Sequence, residues 1–536
     1  MTVRAAVLQS VQTYKARPFL VDAIASREFS YGEFHRLACS LAVELGKRGV
    51  QPGDRVAMML PNCCELAVLY FACLYAGATS VPINPNLSQG DLNFILSSSR
   101  PRLLVAGRAV VERLAGLHPN LVALMVANEA GGSASENAID IGSLPSASDA
   151  ESLLHLSDDA LIVLMYTSGT TAKPKGLAHR TARMFRNAQA FASVQGIDRE
   201  SRFYLTLSMA YMGGFYNLLI LPFLHGASVV VDQVFDARSS LNFWDRVSRS
   251  GANTLWLAPT VMSVLLKMDR GRTGEQYCRE SIRHTFVGFA PLALKVKEDF
   301  ERRYGVRLIE NYGLSETLFV TARSRSDYSQ PGYVGEALPG IELRVLDDDG
   351  SPLPAGADGE IQLLTPDLMA GYLEPDGVLR EVDASQWFAT GDFGRVDEHG
   401  ALCITGRKKD IIIRGGVNIS PAAIEEVLLR CAGVADAAIV SMPHELYGED
   451  IVAVLKLESG LELEGILNDV MAYCKANLAA HQQPARYLAM SEFPKTASGK
   501  VQKSVLRALV KEKFQGPWSR PGPNSGADRE AHWPLI

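Results

Sequence analysis

The sequence predicts an α/β fold: largely parallel sheets covered by helices, followed by a second, smaller α+β domain. Three observations carry this. In the N-terminal part, short apolar runs alternate with segments of helical periodicity, the signature of β–α units. From Gly332 turns become denser and the apolar runs short and alternating. A charged bridge, Gly406-Arg-Lys-Lys-Asp410, then precedes a further strand–helix–strand–helix series.

In chain order, Tyr31 to Leu45 has apolar residues at helical spacing, Gly49 to Arg55 is a turn, and Val56 to Leu60 is a strand. A buried helix follows from Cys63, and Pro82-Ile-Asn-Pro-Asn86 closes that unit. Residues 127–152, rich in Gly, Ser, Ala and acidic side chains, read as an exposed excursion. A strand is predicted at Leu161 to Met165, a helix over Ala178 to Val194 and strands at Arg202 to Leu207 and Ser228 to Val231. Thr254 to Thr260 and Phe286 to Leu292 continue the alternation, then a helix to about Tyr304 and a strand at Val306 to Glu310. The runs Glu342 to Val345, Glu360 to Leu364 and Leu402 to Thr405 suggest an antiparallel sheet or small barrel. Beyond the bridge come Ile411 to Ile419, a helix at Pro421 to Arg430, a strand at Ala435 to Met442 and a helix near Leu467 to Leu478. The Pro- and Gly-rich tail, 515–536, reads as flexible.

The totals narrow the classes. A chain of 536 residues exceeds what one core supports. Net charge of −6 provides no basic footprint for nucleic acid, and 47% hydrophobic with 21% charged residues is ordinary for a globular protein. The eight cysteines form no C-x-x-C pair and read as reduced core thiols of a cytoplasmic protein. No integral membrane segment is predicted, since the most apolar early stretch, Leu66 to Val81, is shorter than a span needs.

One stretch organises the chemistry. The apolar strand opens into Thr167-Ser-Gly-Thr-Thr-Ala-Lys-Pro-Lys-Gly176, which holds four hydroxyls, two lysines and two glycines. Backbone N–H groups, hydroxyls and cations on one loop suit a phosphate. The spacing is not Walker A, and Pro174 interrupts any helix through the loop. A surface loop rich in turn residues is the bland alternative, but such loops seldom follow a buried strand with so many donors converging.

This stretch resembles the phosphate loop of the adenylate-forming superfamily, which includes acyl-CoA synthetases, stand-alone adenylation enzymes and beetle luciferases. Ala172 stands where most members carry glycine, so the loop is expected to be stiffer. Further motifs match in order over roughly residues 20 to 512: Asn311-Tyr-Gly-Leu-Ser-Glu-Thr317, with serine for the usual threonine, Trp387 to Asp392, Thr405-Gly-Arg407, and Pro494 to Lys500. The resemblance implies a large N-terminal domain over 1–406, built of two αβαβα-type sheets plus a small distorted β-barrel. It also implies a hinge at 407–410 and a small mobile C-terminal α+β lid over 411–514.

By the same resemblance, Thr167, Ser168, Gly169, Thr170, Thr171 and Lys175 hold the ATP phosphates. Gly288, Ala290 and Pro291 pack against adenine, with Asn311, Tyr312 and Gly313 beside them. Ser315 donates to the α-phosphate, Glu316 holds Mg²⁺, Asp392 binds the ribose hydroxyls and Arg407 contacts ribose or phosphate. Lys500 is the mobile catalytic cation, Lys409 the hinge position, and Gly415 and Gly416 line a tunnel for a pantetheine thiol. The acyl pocket draws on Met209, Ala210, Tyr211, Gly213, Gly214, Val287, Phe289 and Leu314.

The expected activity is an ATP-dependent, AMP-forming acid–thiol ligase using ATP, Mg²⁺ and coenzyme A, or the phosphopantetheine of an acyl carrier protein. No aspartate is present in Ser208 to Asn217 to pair with an α-amino group, so an apolar aryl or medium-chain aliphatic acid is favoured over an amino acid. Gly213 and Gly214 make room, whereas Phe289, where a small residue is commoner, shortens or reshapes the pocket. A luciferase-like oxygenase is disfavoured by the tunnel glycine. A silent nucleotide-binding protein is disfavoured by joint retention of Lys500, Glu316, Asp392 and Arg407. A monomer or homodimer is expected.

Overall fold

The strand Leu161–Thr167 is an unbroken apolar run because both its faces are covered, and Ile162 to Tyr166 are all buried. It lies within a nine-stranded sheet. The computed structural model describes residues 1–107, 110–111, 122–126, 138–148, 155–167, 174–322, 332–415, 417–495 and 501–514. In that sheet Arg55–Met59 is flanked in parallel by Thr79–Pro82 and Leu103–Ala106, and Thr79–Pro82 pairs in parallel with Leu161–Thr167. The parallel order ends there. Leu161–Thr167 instead forms an antiparallel hairpin with Lys175–Arg180, whose arms bracket the predicted phosphate loop. Ala178 to Arg180 are therefore strand, and the predicted helix begins only at Thr181 and runs to Gln195. Pairing on both edges overrides the helical pattern: Lys175–Arg180 is also hydrogen-bonded to Gly371–Leu373.

The second sheet has thirteen strands and two characters. Strands Pro18–Asp22, Ser228–Val231, Arg202–Leu205, Thr254–Leu257 and His284–Val287 run parallel. The strand Leu308–Leu314 changes the rule within its own length. Leu308 to Glu310 pair in parallel with His284–Val287, whereas Asn311 to Leu314 pair antiparallel with Leu318–Ala322. The antiparallel strands Tyr333–Ala337, Glu342–Leu346, Gly359–Leu364, Phe388–Val396 and Ala401–Arg407 thus continue this sheet through one shared strand.

Between the two sheets lies the helix Cys64–Tyr75, all twelve residues of which are buried. A helix apolar all round but for Glu65, which is paired with Arg27, belongs in such an interior. Phe71 on this helix meets Phe34 and Phe223 with ring centroids 4.9 and 4.5 Å apart. All eight cysteines are free, seven buried and Cys63 half-buried. Among the described residues no helix is long and apolar enough to cross a membrane.

The C-terminal part has a five-stranded sheet of its own, with Val434–His444 and Gly448–Leu457 as its longest pair. Helices Pro421–Leu428 and Leu463–Asn477 cover one apolar cluster, and Lys503–Lys513 covers the other. It touches the larger body at defined points. The Leu294 N–H donates to both carboxylate oxygens of Glu426, at 3.1 and 3.2 Å, so an anion sits at the start of the helix Leu294–Tyr304. The Ser420 hydroxyl donates to the Thr405 carbonyl.

That same helix carries Lys297, which forms a buried ion pair with Glu310 at 2.6 Å. Removing one partner leaves an uncompensated charge in the interior. Lys297→Ala is expected to lower the unfolding free energy in urea by about 3 kcal/mol, and Lys297→Met with Glu310→Leu to recover most of it. An unchanged urea midpoint for Lys297→Ala would show that the pair contributes nothing.

Candidate active site

The described residues expected to face the nucleotide gather where the two sheets meet. Thr167 ends one arm of the hairpin and Lys175 starts the other, paired in register. Ser168, Gly169, Thr170 and Thr171 lie outside the described residues. The Asn311–Leu314 segment is strand, and Ser315 to Thr317 form a tight turn into Leu318–Ala322. The turn is closed by the Leu314 N–H on the Thr317 hydroxyl (3.2 Å) and the Thr317 N–H on the Leu314 carbonyl (3.3 Å). A β-carbon on Gly313 would lie 2.2 Å from the Leu318 carbonyl oxygen, so only glycine fits there. Leu318 itself takes φ +61°, a left-handed conformation that costs about 1–2 kcal/mol for an L-residue.

What holds this turn comes from the other sheet. His179 Nε2 donates to the Ser315 carbonyl at 2.6 Å, the Met369 N–H to the Glu316 carbonyl at 2.8 Å, and the Tyr372 hydroxyl to Glu316 Oε1 at 3.0 Å. The bond to a carbonyl places the His179 hydrogen on Nε2, while buried Nδ1 has no hydrogen-bond partner among the described residues. Burial pushes this imidazole down to about 4. Burial, then the Glu316 carboxylate, push the Tyr372 phenol up. The Lys175 ammonium stands 6.0 Å from the centre of the Tyr372 ring. Neither His179 nor Tyr372 was expected from sequence, because each lies in an ordinary strand and acts only across the seam.

Tyr312, Asp392 and Arg407, from three separate motifs, form one chain. The Tyr312 hydroxyl donates to Asp392 Oδ2 at 2.5 Å, and Arg407 Nε meets Asp392 Oδ1 at 2.6 Å. Asp392 and Arg407 are register partners in one hairpin. Asp392 is buried, and its N–H donates to the Thr390 hydroxyl at 3.0 Å. Burial and the neighbouring carboxylate push the Tyr312 phenol well up. Tyr312, expected beside the adenine segment, has its hydroxyl tied to Asp392 and its ring almost fully buried.

The predicted acyl wall is assembled but tighter than expected. Gly213 to Ile220 form a π-helix, a geometry concentrated at functional sites. Gly213 does not leave open space: a β-carbon there would lie 2.7 Å from the Phe289 ring, which occupies that position. A β-carbon on Gly214 would lie 2.3 Å from the Ser208 carbonyl oxygen, so this glycine serves a close backbone approach. Phe289 has φ +75°. Met209 is fully buried, its carbonyl accepting from the Tyr70 hydroxyl (2.6 Å) and its N–H donating to Asn62 (2.9 Å). Ala210 and Val287 are buried, Leu314 half-buried, and the Tyr211 hydroxyl accepts from Asn84 at 3.2 Å. Asn311 Nδ2 donates to the Val287 carbonyl at 3.1 Å beside buried Gly288; Ala290 is half-buried and Pro291 exposed.

At the bridge, Lys408–Asp410 is a single 3₁₀ turn with Lys409 exposed. Arg507 reaches the Lys409 carbonyl (3.4 Å) and Asp410 (2.6 Å). Gly415 takes φ +59° and donates its N–H to the Tyr447 carbonyl at 2.9 Å. Gly416 and Lys500 lie outside the described residues. No cluster of three His, Cys, Asp or Glu side chains among the described residues is arranged for a metal ion. A single carboxylate, Glu316, suits Mg²⁺, which takes one or two carboxylates with phosphate oxygens and water.

Two α/β sheets meeting at the Ser315–Thr317 turn, with a small α+β lobe after a charged bridge, define an adenylate-forming fold. The AMP-binding enzyme model matches residues 7–373, and the AMP-binding enzyme C-terminal domain model matches residues 423–500. The chain belongs to this AMP-binding family, the adenylate-forming superfamily, and is an ATP-dependent, AMP-forming ligase. It is 31% identical to a sulfoacetate–CoA ligase of Cupriavidus necator, over 94% of this chain and 97% of that protein. It is 30% identical to an indoleacetate–CoA ligase of Aromatoleum aromaticum, over 91% of this chain and 94% of that one. The crystal structure of ATP-bound MatB from Rhodopseudomonas palustris is similar at TM-score 0.85 and 26% identity, covering 96% of this chain and all of that chain.

The depressed His179 value has a defined sign. Its stabilising contribution is complete above the unfolded value of 6.5 and is lost as pH falls toward about 4, because the unfolded chain takes up a proton that the folded one refuses. Between pH 7 and 5 this removes about 2 kcal/mol. Urea unfolding at both pH values should give His179→Gln a shallower pH slope than the wild type; equal slopes would contradict the assignment.

Proposed function

We propose that the protein is an acyl-CoA ligase acting on a compact apolar carboxylic acid, aryl or medium-chain aliphatic. The observation that supports this most is the seam itself: Lys175, the Glu316 turn and the Tyr312–Asp392–Arg407 chain are strands' ends brought together from two sheets. In the first half-reaction a carboxylate oxygen of the acid attacks the α-phosphorus of ATP, and the bond to pyrophosphate breaks. In the second, the coenzyme A sulfur attacks the acyl carbon, and the bond to AMP breaks.

This chemistry needs positioning and charge balance more than acid–base groups. Lys175 and the hydroxyls of Thr167 to Thr171 face the phosphates, Ser315 donates to the α-phosphate, and Asp392 with Arg407 orients the ribose. Glu316 would hold Mg²⁺, which neutralises triphosphate charge when bound. Lys500 bridges acid and α-phosphate. A rotation at Lys409 exchanges that lysine for Gly415 and Gly416, beside which the thiol enters.

Coenzyme A is favoured over a carrier protein because both relatives named above are CoA ligases. The apolar acid follows from Met209, Val287, Phe289 and Leu314, and its compactness from the Phe289 ring at Gly213. Pyrophosphate exchange over a panel of acids, then coenzyme A addition, tests the proposal; formation of ADP in place of AMP would refute it. Lys500→Ala should lose about 100-fold or more in exchange while still converting supplied acyl-adenylate to thioester, and Gly416→Leu should do the reverse. Equal loss of both steps in either variant would contradict this division. Phe289→Ala should shift kcat/KM toward longer acids by about tenfold, and an unchanged profile would remove Phe289 from the pocket.

A further inference from the structure

The residue that joins most of the seam belongs to none of the motifs that reveal the chemistry. Tyr372 lies on the short strand Gly371–Leu373, in register with Leu177, while the next residue, Leu373, faces Gly176. It is thereby placed beside Lys175, the second lysine of the phosphate-loop stretch. Its hydroxyl donates to Glu316 Oε1 at 3.0 Å, and the Lys175 ammonium stands 6.0 Å from its ring centre. Its own backbone has little freedom. A β-carbon on Gly371 would lie 2.1 Å from the Arg380 carbonyl oxygen, so the hairpin Gly371–Leu373 with Leu379–Glu381 is closed tightly there. Upstream, the Met369 N–H donates to the Glu316 carbonyl and the Ala370 N–H to the Ala178 carbonyl. One segment, Met369 to Leu373, thus stitches the strand leaving the phosphate loop to the turn carrying Glu316.

We infer that Tyr372 is a positioning residue for the metal–nucleotide complex, setting the Glu316 carboxylate and the Lys175 ammonium relative to each other. A hydroxyl donating to one carboxylate oxygen restricts rotation of the Glu316 group. The ring face beside Lys175 favours an ammonium on that side. An acid and a base that must meet a single triphosphate are tied to one side chain, instead of being placed independently by two sheets. The inference rests on the assignment of Glu316 to Mg²⁺ in the proposed function.

The test uses the full chain as wild type, Tyr372→Phe, Glu316→Gln and the double variant. Mn²⁺ serves as a paramagnetic probe with ATP and no acid, read by electron paramagnetic resonance, and AMP binding is measured by calorimetry without metal. Thermal melting reports on folding. Tyr372→Phe is expected to weaken Mn²⁺ binding in the ATP complex about fivefold, with AMP affinity and melting temperature unchanged. In the Glu316→Gln background it should add nothing, as a shared interaction requires. Unchanged Mn²⁺ affinity in Tyr372→Phe, an equal loss of AMP affinity, or full additivity with Glu316→Gln would overturn the inference. Wild-type protein that binds Mn²⁺–ATP and exchanges pyrophosphate while Tyr372→Phe behaves identically rejects only the role of Tyr372. Wild-type protein that binds no Mn²⁺–ATP rejects the metal assignment beneath it as well.

Discussion

The Ser315–Thr317 turn is the constraint on which the rest depends. It is short, left-handed at Leu318 and closed by its own hydrogen bonds, yet its orientation is set from outside by His179, Met369 and Tyr372. All three belong to the other sheet or to the segment paired with it. Two sheets that share no strand are therefore locked at the point where a nucleotide's phosphates would lie. A site made in this way is rigid without a single continuous element beneath it, which suits a reaction governed by positioning and electrostatics.

The strand Leu308–Leu314 extends the same logic toward Asp392 and Arg407. Its first half belongs to the parallel layer and its second half to the antiparallel one, so Tyr312 emerges where the layers change. From there its hydroxyl reaches Asp392, and Asp392 reaches Arg407 at the edge of the charged bridge. The small lobe is coupled to this region as well. Glu426 sits at the start of the helix Leu294–Tyr304, only a few residues after the Gly288–Pro291 segment, while Lys297 on that helix is paired with Glu310, the residue before Asn311. A change in how the small lobe docks is thus felt next to Gly288–Pro291 and Asn311.

Much of this was legible in the sequence. The buried strand at Leu161, the buried helix after Cys63 and the change of character at Gly332 are all patterns of local burial, and local burial is what periodicity records. The order of motifs identified the family. The rest was decided by distant partners. Residues 178–180 carry a helical pattern but are held as strand by edges on both sides, one of them Gly371–Leu373, nearly two hundred residues away. Gly213 reads as open space until the Phe289 ring is seen to fill it. His179 and Tyr372 act through a single hydrogen bond each across the seam, and no spacing along the chain encodes that.

The central claim is that these converging groups direct a carboxylate oxygen onto the α-phosphorus of ATP. It is tested most directly by giving the enzyme an accepted acid labelled with oxygen-18 in its carboxyl group and analysing the nucleotide product by mass spectrometry. The account predicts AMP carrying one labelled oxygen, left on phosphorus when the thiol takes the acyl group. Unlabelled AMP, or label appearing in inorganic phosphate beside ADP, would contradict it.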